Sequence, residues 1–217
     1  MTSAPLINIL VRTHLRDIEF ALCMNSIAKQ TYKNVKVIVC TDSANESYAD
    51  TTYQHYLEVI MDNRRLNYEL FYVHPTGVPY HWNFYCNNLK ERVTDGWFFY
   101  CDDDDALHRP TALEEIAQHL TDPSEGVICQ FNRGSRAKPE YSGLTLVHGG
   151  YIQTESIVRG KIGGSCIFLH HSQKDIANWD GQRAADYRFI KAVAEKIPLK
   201  FVPVVVVQAG NNGRHGK

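Results

Sequence analysis

Four carboxylates stand in a row at Asp102-Asp103-Asp104-Asp105, directly after the apolar run Trp97-Phe98-Phe99-Tyr100-Cys101. The apolar run reads as a buried strand. In a parallel α/β sheet, ligands bind beyond the carboxyl ends of the strands. Two like charges about 4 Å apart repel by on the order of 4 kcal/mol at an effective dielectric of about 20. The acid run therefore calls for a counter-cation, and its hard oxygens suit Mn²⁺ or Mg²⁺. A solvated acidic loop is the competing reading, and the position after a buried aromatic strand favours the metal. His170 and His171 are also of metal-binding type, but neighbours on a strand point to opposite faces and would not share one ion.

These groups need a scaffold, and the first half of the chain supplies an alternating one. LINILV (6–11), VKVIVC (35–40), YELFYV (68–73) and GWFFYC (96–101) read as strands. Helical stretches fall between them at about 17–29, 49–64 and 80–94. Strands alternating with helices argue for a parallel sheet covered on both faces. A helix at about 110–120 and a strand at 126–131 follow. Residues 132–164 are polar and Gly-rich with no clear period, and are expected to form a long mobile loop. A strand at 165–170, a helix at about 184–196 and a last strand at 201–207 complete the chain. Pro203 makes that last strand an edge or bulged one.

Composition narrows the class. The 217 residues suit a single domain, 1–217, with 1–105 as one half ending in the acid run and 106–217 as the other. Hydrophobic residues are 44% and charged residues 22%, as in an ordinary soluble globule. The net charge of -1 supplies no global field for collecting nucleic acid. No apolar run approaches the ~20 residues of a membrane-spanning helix, and the N-terminus has no signal-peptide pattern. The six cysteines form no C-x-x-C pair, and several sit in apolar runs, which suits free thiols in a reducing compartment. The expectation is a cytoplasmic protein. G-x-x-x-x-G-K-[ST] is absent, which disfavours an ATPase.

Five segments, in order, resemble the nucleotide-sugar glycosyltransferases of the GT-A fold, family 2. ILVRTHLRD (9–17) is similar to the family's opening strand and turn, with Arg12 in place of Pro and His14 in place of Tyr. SIAKQTYKNVKVIVCTDSA (26–44) resembles the helix end and the strand that leads to an acidic nucleotide-binding turn, and is the most specific stretch. CNNLKERVTDGWFFYCDDDDAL (86–107) resembles the approach to the D-x-D metal motif. GGSCIFLHH (163–171) with Trp179-Asp180 resembles the acceptor-side strand, and Ala185-Asp186-Tyr187 the segment that carries the base. Together they span most of residues 7 to 190.

The resemblance implies a mainly parallel central sheet flanked by helices, with mixed strands in the second half. It implies a metal-dependent, inverting transfer of a sugar from a nucleoside-diphosphate donor, a UDP-sugar above all, to a hydroxyl of a glycan or other acceptor. Asp42 matches the carboxylate that contacts uracil, and a carboxylate can accept the imide N–H; an Asx turn is the alternative. Thr13 carries over as a base-side contact and Asn87 as a donor contact beside Cys86, where the family has Arg; Arg12 departs from the family pattern, and a diphosphate contact is one role open to it. Asp102 and Asp104 match the outer carboxylates of D-x-D, with Asp103 between them: Asp104 binds the metal, and Asp102 lies near the ribose or the metal-bound water. Asp186 matches the general base. His215 is the histidine nearest to the position, here Ala209, at which the family completes the metal shell; a disordered tail is the competing reading and the favoured one.

Ala185, Cys86 and Ala209 depart from the pattern, which supports a different reading: an inactive nucleotide-sugar or carbohydrate-binding module on the same fold. A sugar-nucleotide pyrophosphorylase is disfavoured, because VRTHLRD contains no glycine for a phosphate loop.

Overall fold

The computed structural model describes residues 4–42, 48–74, 77, 79–132 and 150–210. Its elements are β1 (Ile7–Thr13), α1 (Asp17–Ala28), β2 (Val35–Thr41), α2 (Tyr48–Asp62), β3 (Tyr68–Tyr72), α3 (Trp82–Glu91) and β4 (Trp97–Tyr100). They continue with β5 (Ala106–Leu107), α4 (Ala112–Ala117), β6 (Gly126–Asn132), β7 (Ile167–His170), α5 (Ala185–Ala194) and β8 (Leu199–Gln208). One sheet of eight strands runs β3-β2-β1-β4-β7-β6-β8-β5. The first four strands are parallel, as the alternating sequence requires. Beyond β4 the sheet is mixed: β7 is antiparallel to both neighbours, β6 pairs parallel with β8, and β5 closes antiparallel.

The strands are apolar on both faces because helices cover both. In β1, Ile7, Ile9, Leu10 and Val11 are all buried, and buried Asn8 donates to the carbonyls of Asp95 (2.8 Å) and Trp97 (3.0 Å). These bonds satisfy an amide that would otherwise be costly to bury and fix the start of β4 beside β1. Gly96 takes φ +73, and a Cβ there would lie 2.4 Å from the Leu6 carbonyl oxygen. Only glycine fits that entry to β4. The register follows, with Thr13 opposite Thr41 and Leu10 opposite Tyr100. Consequently Arg12, Thr13, Asp42 and the acid run all emerge at one edge.

The first strand runs two residues past Val11, to Thr13, which puts Arg12 and Thr13 at its end. One expectation changes. The stretch 132–164 is not wholly a loose loop. Residues 133–149 fall outside the described residues, but Ile152, Ile157 and Ile162 are buried. Ile152 N–H also donates to Leu199 O at 2.8 Å. Those isoleucines recur every five residues, a spacing that matches neither strand nor helix, so periodicity could not reveal them. Pro203 does mark an irregularity. Ile128 pairs with Phe201 and Gln130 with Val205, so β8 bulges across the exposed proline.

Candidate active site

The carboxyl ends of β2, β1 and β4 lie side by side, and a cavity of about 730 Å³ opens above them. Thr13 ends β1 with its hydroxyl 3.2 Å from that of Tyr53, which also accepts the Arg16 N–H at 3.3 Å. Leu15 then adopts φ +47, left-handed backbone that is costly for a residue with a Cβ. It leaves Leu15 60% exposed while His14 and Arg16, on either side, line the cavity. Tyr80 (φ +55) comes just before the lining residues His81 and Trp82, and Ala184 (φ +62) just before Ala185-Asp186. Three of the four left-handed non-glycine residues among those described thus adjoin the candidate site, where such strain concentrates.

On the β2 side stands Asp42, 6% exposed. His14 Nδ1 lies 2.6 Å from Oδ1, the Tyr85 hydroxyl donates to Oδ2 at 2.7 Å, and His81 Nε2 is 3.5 Å from Oδ2. Burial and the bond to Asp42 push the Tyr85 hydroxyl up, which keeps it a donor. On the β4 side stands the acid run. Arg12 Nε and Nη2 both lie 3.0 Å from Asp102 Oδ1, and Nη1 donates to the Trp82 carbonyl at 3.2 Å. Arg16 Nη1 is 3.0 Å from Asp103 Oδ1 and 3.3 Å from Asp104 Oδ2. Asp105 turns inward and accepts the Gly210 N–H at 2.9 Å. Burial pushes the Asp103 carboxyl up to about 6 against the pull of Arg16. Burial, with Asp102 nearby, also raises Asp104. Asp105 lies well above the carboxylate range, chiefly through burial.

The mutual repulsion of the acid run is thus met in part by the chain itself. Arg12 and Arg16 sit some 90 residues upstream in sequence, and the β1–β4 pairing brings them across. Two arginine cations thus share the compensating role that the sequence suggested for a metal. Among the described residues, no group of three or more His, Cys, Asp or Glu is placed to hold a metal ion. Asp102 and Asp104 still offer hard oxygens at the cavity, and Mg²⁺-type ions commonly bind through one or two carboxylates plus substrate phosphates. The donor set fits such an ion. His215 lies outside the described residues. His170 pairs in register with Trp97 at the opposite end of β4, away from the acid run.

A second cavity, of about 200 Å³, adjoins the first and shares Arg12 and Asp102 with it. Asp186, in the first turn of α5, lines it together with Cys86, Asn83, Ser165 and the rings of Tyr100 and Trp179. Asp186 Oδ1 accepts the Tyr187 N–H at 2.8 Å. Burial pushes the Cys86 thiol up to about 12, so it is neutral. Trp179 stacks on Phe189 with ring centroids 5.1 Å apart. Asn87, expected at the donor, faces elsewhere: its amide donates to Trp179 O and accepts from Trp179 N, both at 2.9 Å. It lines neither cavity and holds the wall of the second. Sequence reasoning did not single out Arg16, His81, Trp82 or Tyr85. The only signal for His81 and Tyr85 is their spacing of four on one helix face.

No family model matches the chain, and no curated protein matches it. Solved structures do. TarS 1-349 of S. aureus matches with a TM-score of 0.71 at 15% identity, over 94% of this chain and 60% of that one. TarS 1-349 in complex with UDP-GlcNAc matches at 0.70 and 16%, over 98% and 60%. The mannosyltransferase PcManGT from Pyrobaculum calidifontis, in complex with GDP-Man and Mn²⁺, matches at 0.65 and 14%, over 99% and 59%. The fold is that of the GT-A glycosyltransferases. The chain spans about 60% of the length of these three structures. Among the described residues, no helix is long and apolar enough to cross a membrane.

Proposed function

We propose that the chain is a metal-dependent, inverting glycosyltransferase that moves a sugar from a UDP-sugar to a hydroxyl of a glycan or other acceptor. One observation carries the reading: two adjoining cavities share Arg12 and Asp102, with Asp42 and the acid run in one and Asp186 in the other. The likeness in fold to TarS, solved with UDP-GlcNAc, and to a mannosyltransferase solved with Mn²⁺ supports it.

Asp42, oriented by His14, His81 and Tyr85, accepts the single imide N–H of the base. Thr13 forms the floor beside it. Arg12 meets the diphosphate, and stands in for the arginine that Cys86 replaces, since both line the second cavity. Asp102 and Asp104 would hold Mn²⁺ or Mg²⁺ through their hard oxygens, and His215 is the candidate for a further protein ligand. Bound there, such an ion would supply Lewis-acid neutralisation of the diphosphate's charge. Asp186 takes the proton of the acceptor hydroxyl as its oxygen attacks the anomeric carbon from the face opposite the leaving group. One displacement inverts the configuration.

Calorimetric titration with UDP, GDP and dTDP, each in Mn²⁺ and in EDTA, tests the donor and metal assignments. UDP binding tightened by Mn²⁺ is the expected result. Equal UDP affinity in both media removes the metal, and preference for GDP removes the uracil assignment. An inactive binding module would bind the donor in the same way and release no UDP from a UDP-sugar.

A further inference from the structure

The Arg16 guanidinium reaches two carboxylates of the acid run at once, 3.0 Å from Asp103 and 3.3 Å from Asp104. Its side chain is 45% exposed, while those of Asp103 and Asp104 are 6% and 14% exposed. The cation therefore comes down from the rim onto carboxylates sunk beneath it. Arginine does not deprotonate in proteins, so its charge stays in the site at every working pH. Asp104 is also the carboxylate to which the function proposed above gives the metal, and the following step rests on that reading. A divalent ion and a guanidinium cannot both press on one carboxylate without repelling each other. A metal that settles on Asp104 thus loosens Arg16, and Arg16 lines the same cavity in which a diphosphate would lie.

We propose that Arg16 is a resident counter-cation: it holds Asp103 and Asp104 in the empty site, competes with the metal for Asp104, and passes to the diphosphate when the metal binds. It couples the two ligands, since each gains from the other's presence, and such coupling is reciprocal. The acid run thus stays partly compensated by Arg16 before loading.

The test uses the purified chain, Mn²⁺ alone, and UDP with and without Mn²⁺. Arg16→Gln removes the charge from a half-exposed side chain, so the fold should stand; a thermal midpoint near that of the unaltered protein checks this. Mn²⁺ alone should bind Arg16→Gln at least about threefold more tightly, the scale of one partly exposed ion pair. The factor by which Mn²⁺ tightens UDP binding should shrink. Arg16→Lys, which keeps the charge, should stay near the unaltered protein in Mn²⁺ affinity, and Arg92→Gln, which removes a charge outside either cavity, should change neither quantity. Equal Mn²⁺ affinity in Arg16→Gln and the unaltered protein overturns the role of Arg16 alone and leaves the proposed transferase standing. An equal gain in Arg92→Gln overturns it too, as a general charge effect. Mn²⁺ binding by no form overturns the metal assignment and this proposal together.

Discussion

Arg12 brings Nε and Nη2 to the same oxygen of Asp102, each at 3.0 Å, where the two cavities meet. Its third nitrogen holds the Trp82 carbonyl at the start of α3. One guanidinium therefore ties the ends of β1 and β4 to the helix that walls the larger cavity. A two-oxygen fork would be a stronger clamp on the carboxylate. The single-oxygen contact instead leaves the guanidinium spread between an acid and a backbone carbonyl.

Removing that cation should weaken UDP binding. Hydrogen bonds to charged groups are worth about 1.5–3 kcal/mol, so Arg12→Met is expected to raise the UDP dissociation constant about tenfold or more. Arg12→Lys should not restore it, because a single ammonium on a flexible stem cannot hold Asp102 and the Trp82 carbonyl together. Calorimetry on both variants decides; wild-type affinity in the lysine variant would show that charge alone suffices.

Asp104→Asn separates the metal from the nucleotide. The amide keeps the size of the side chain and loses the charge that draws a divalent ion. UDP should bind this variant equally well in EDTA and in Mn²⁺. A Mn²⁺ effect of full size in Asp104→Asn would move the metal to another carboxylate of the run.

The fold was legible in the sequence as far as its periodicities ran. The apolar strands of the first half and their helices are where LINILV, VKVIVC, YELFYV and GWFFYC place them, because buried parallel strands read as continuous apolar runs. The second half was less legible. β5 has two residues, and β7, which sits between β4 and β6, gives no sign of its direction in SCIFLH. Candidate residues at strand ends, Thr13, Asp42 and Asp102, could be placed together from topology alone. Their partners could not. Arg16 meets Asp103 across 87 residues, and Tyr85 meets Asp42 across 43, through contacts that no local pattern encodes. Asn87 lies one residue from Cys86, which lines the second cavity, yet its own amide is spent on Trp179.

The buried carboxyl of Asp103 sets a pH dependence whose sign follows from linkage. Its value is pushed up to about 6, above the ordinary value of about 4. Between those two values the folded chain binds more protons at this site than the unfolded one, so the site's contribution to stability falls as pH rises. Asp103→Asn, neutral throughout, should therefore gain in melting temperature relative to the unaltered protein as pH goes from about 4 to about 7. A difference that is flat across that range, or that shrinks, would mean that Arg16 outweighs burial at this carboxyl.

Asp186 separates an enzyme from a binding module. Its Oδ1 accepts the Tyr187 N–H at the first turn of α5, which an asparagine oxygen can do equally well. Asp186→Asn should therefore fold with a stability change of about 1 kcal/mol or less. Donor binding should be unchanged, because Asp186 lines the second cavity and not the first. A carboxamide does not take a proton near neutral pH, so the loss of a general base should lower turnover by roughly 10²–10⁴-fold. Release of UDP from a UDP-sugar, with water as a slow acceptor, gives a first readout. The decisive measurement uses a glycan acceptor and the anomeric configuration of the product. Full transfer by Asp186→Asn would strip the residue of its role as base. A product that retains the donor's configuration would rule out the single displacement, and with it the placement of base and leaving group on opposite faces of the sugar.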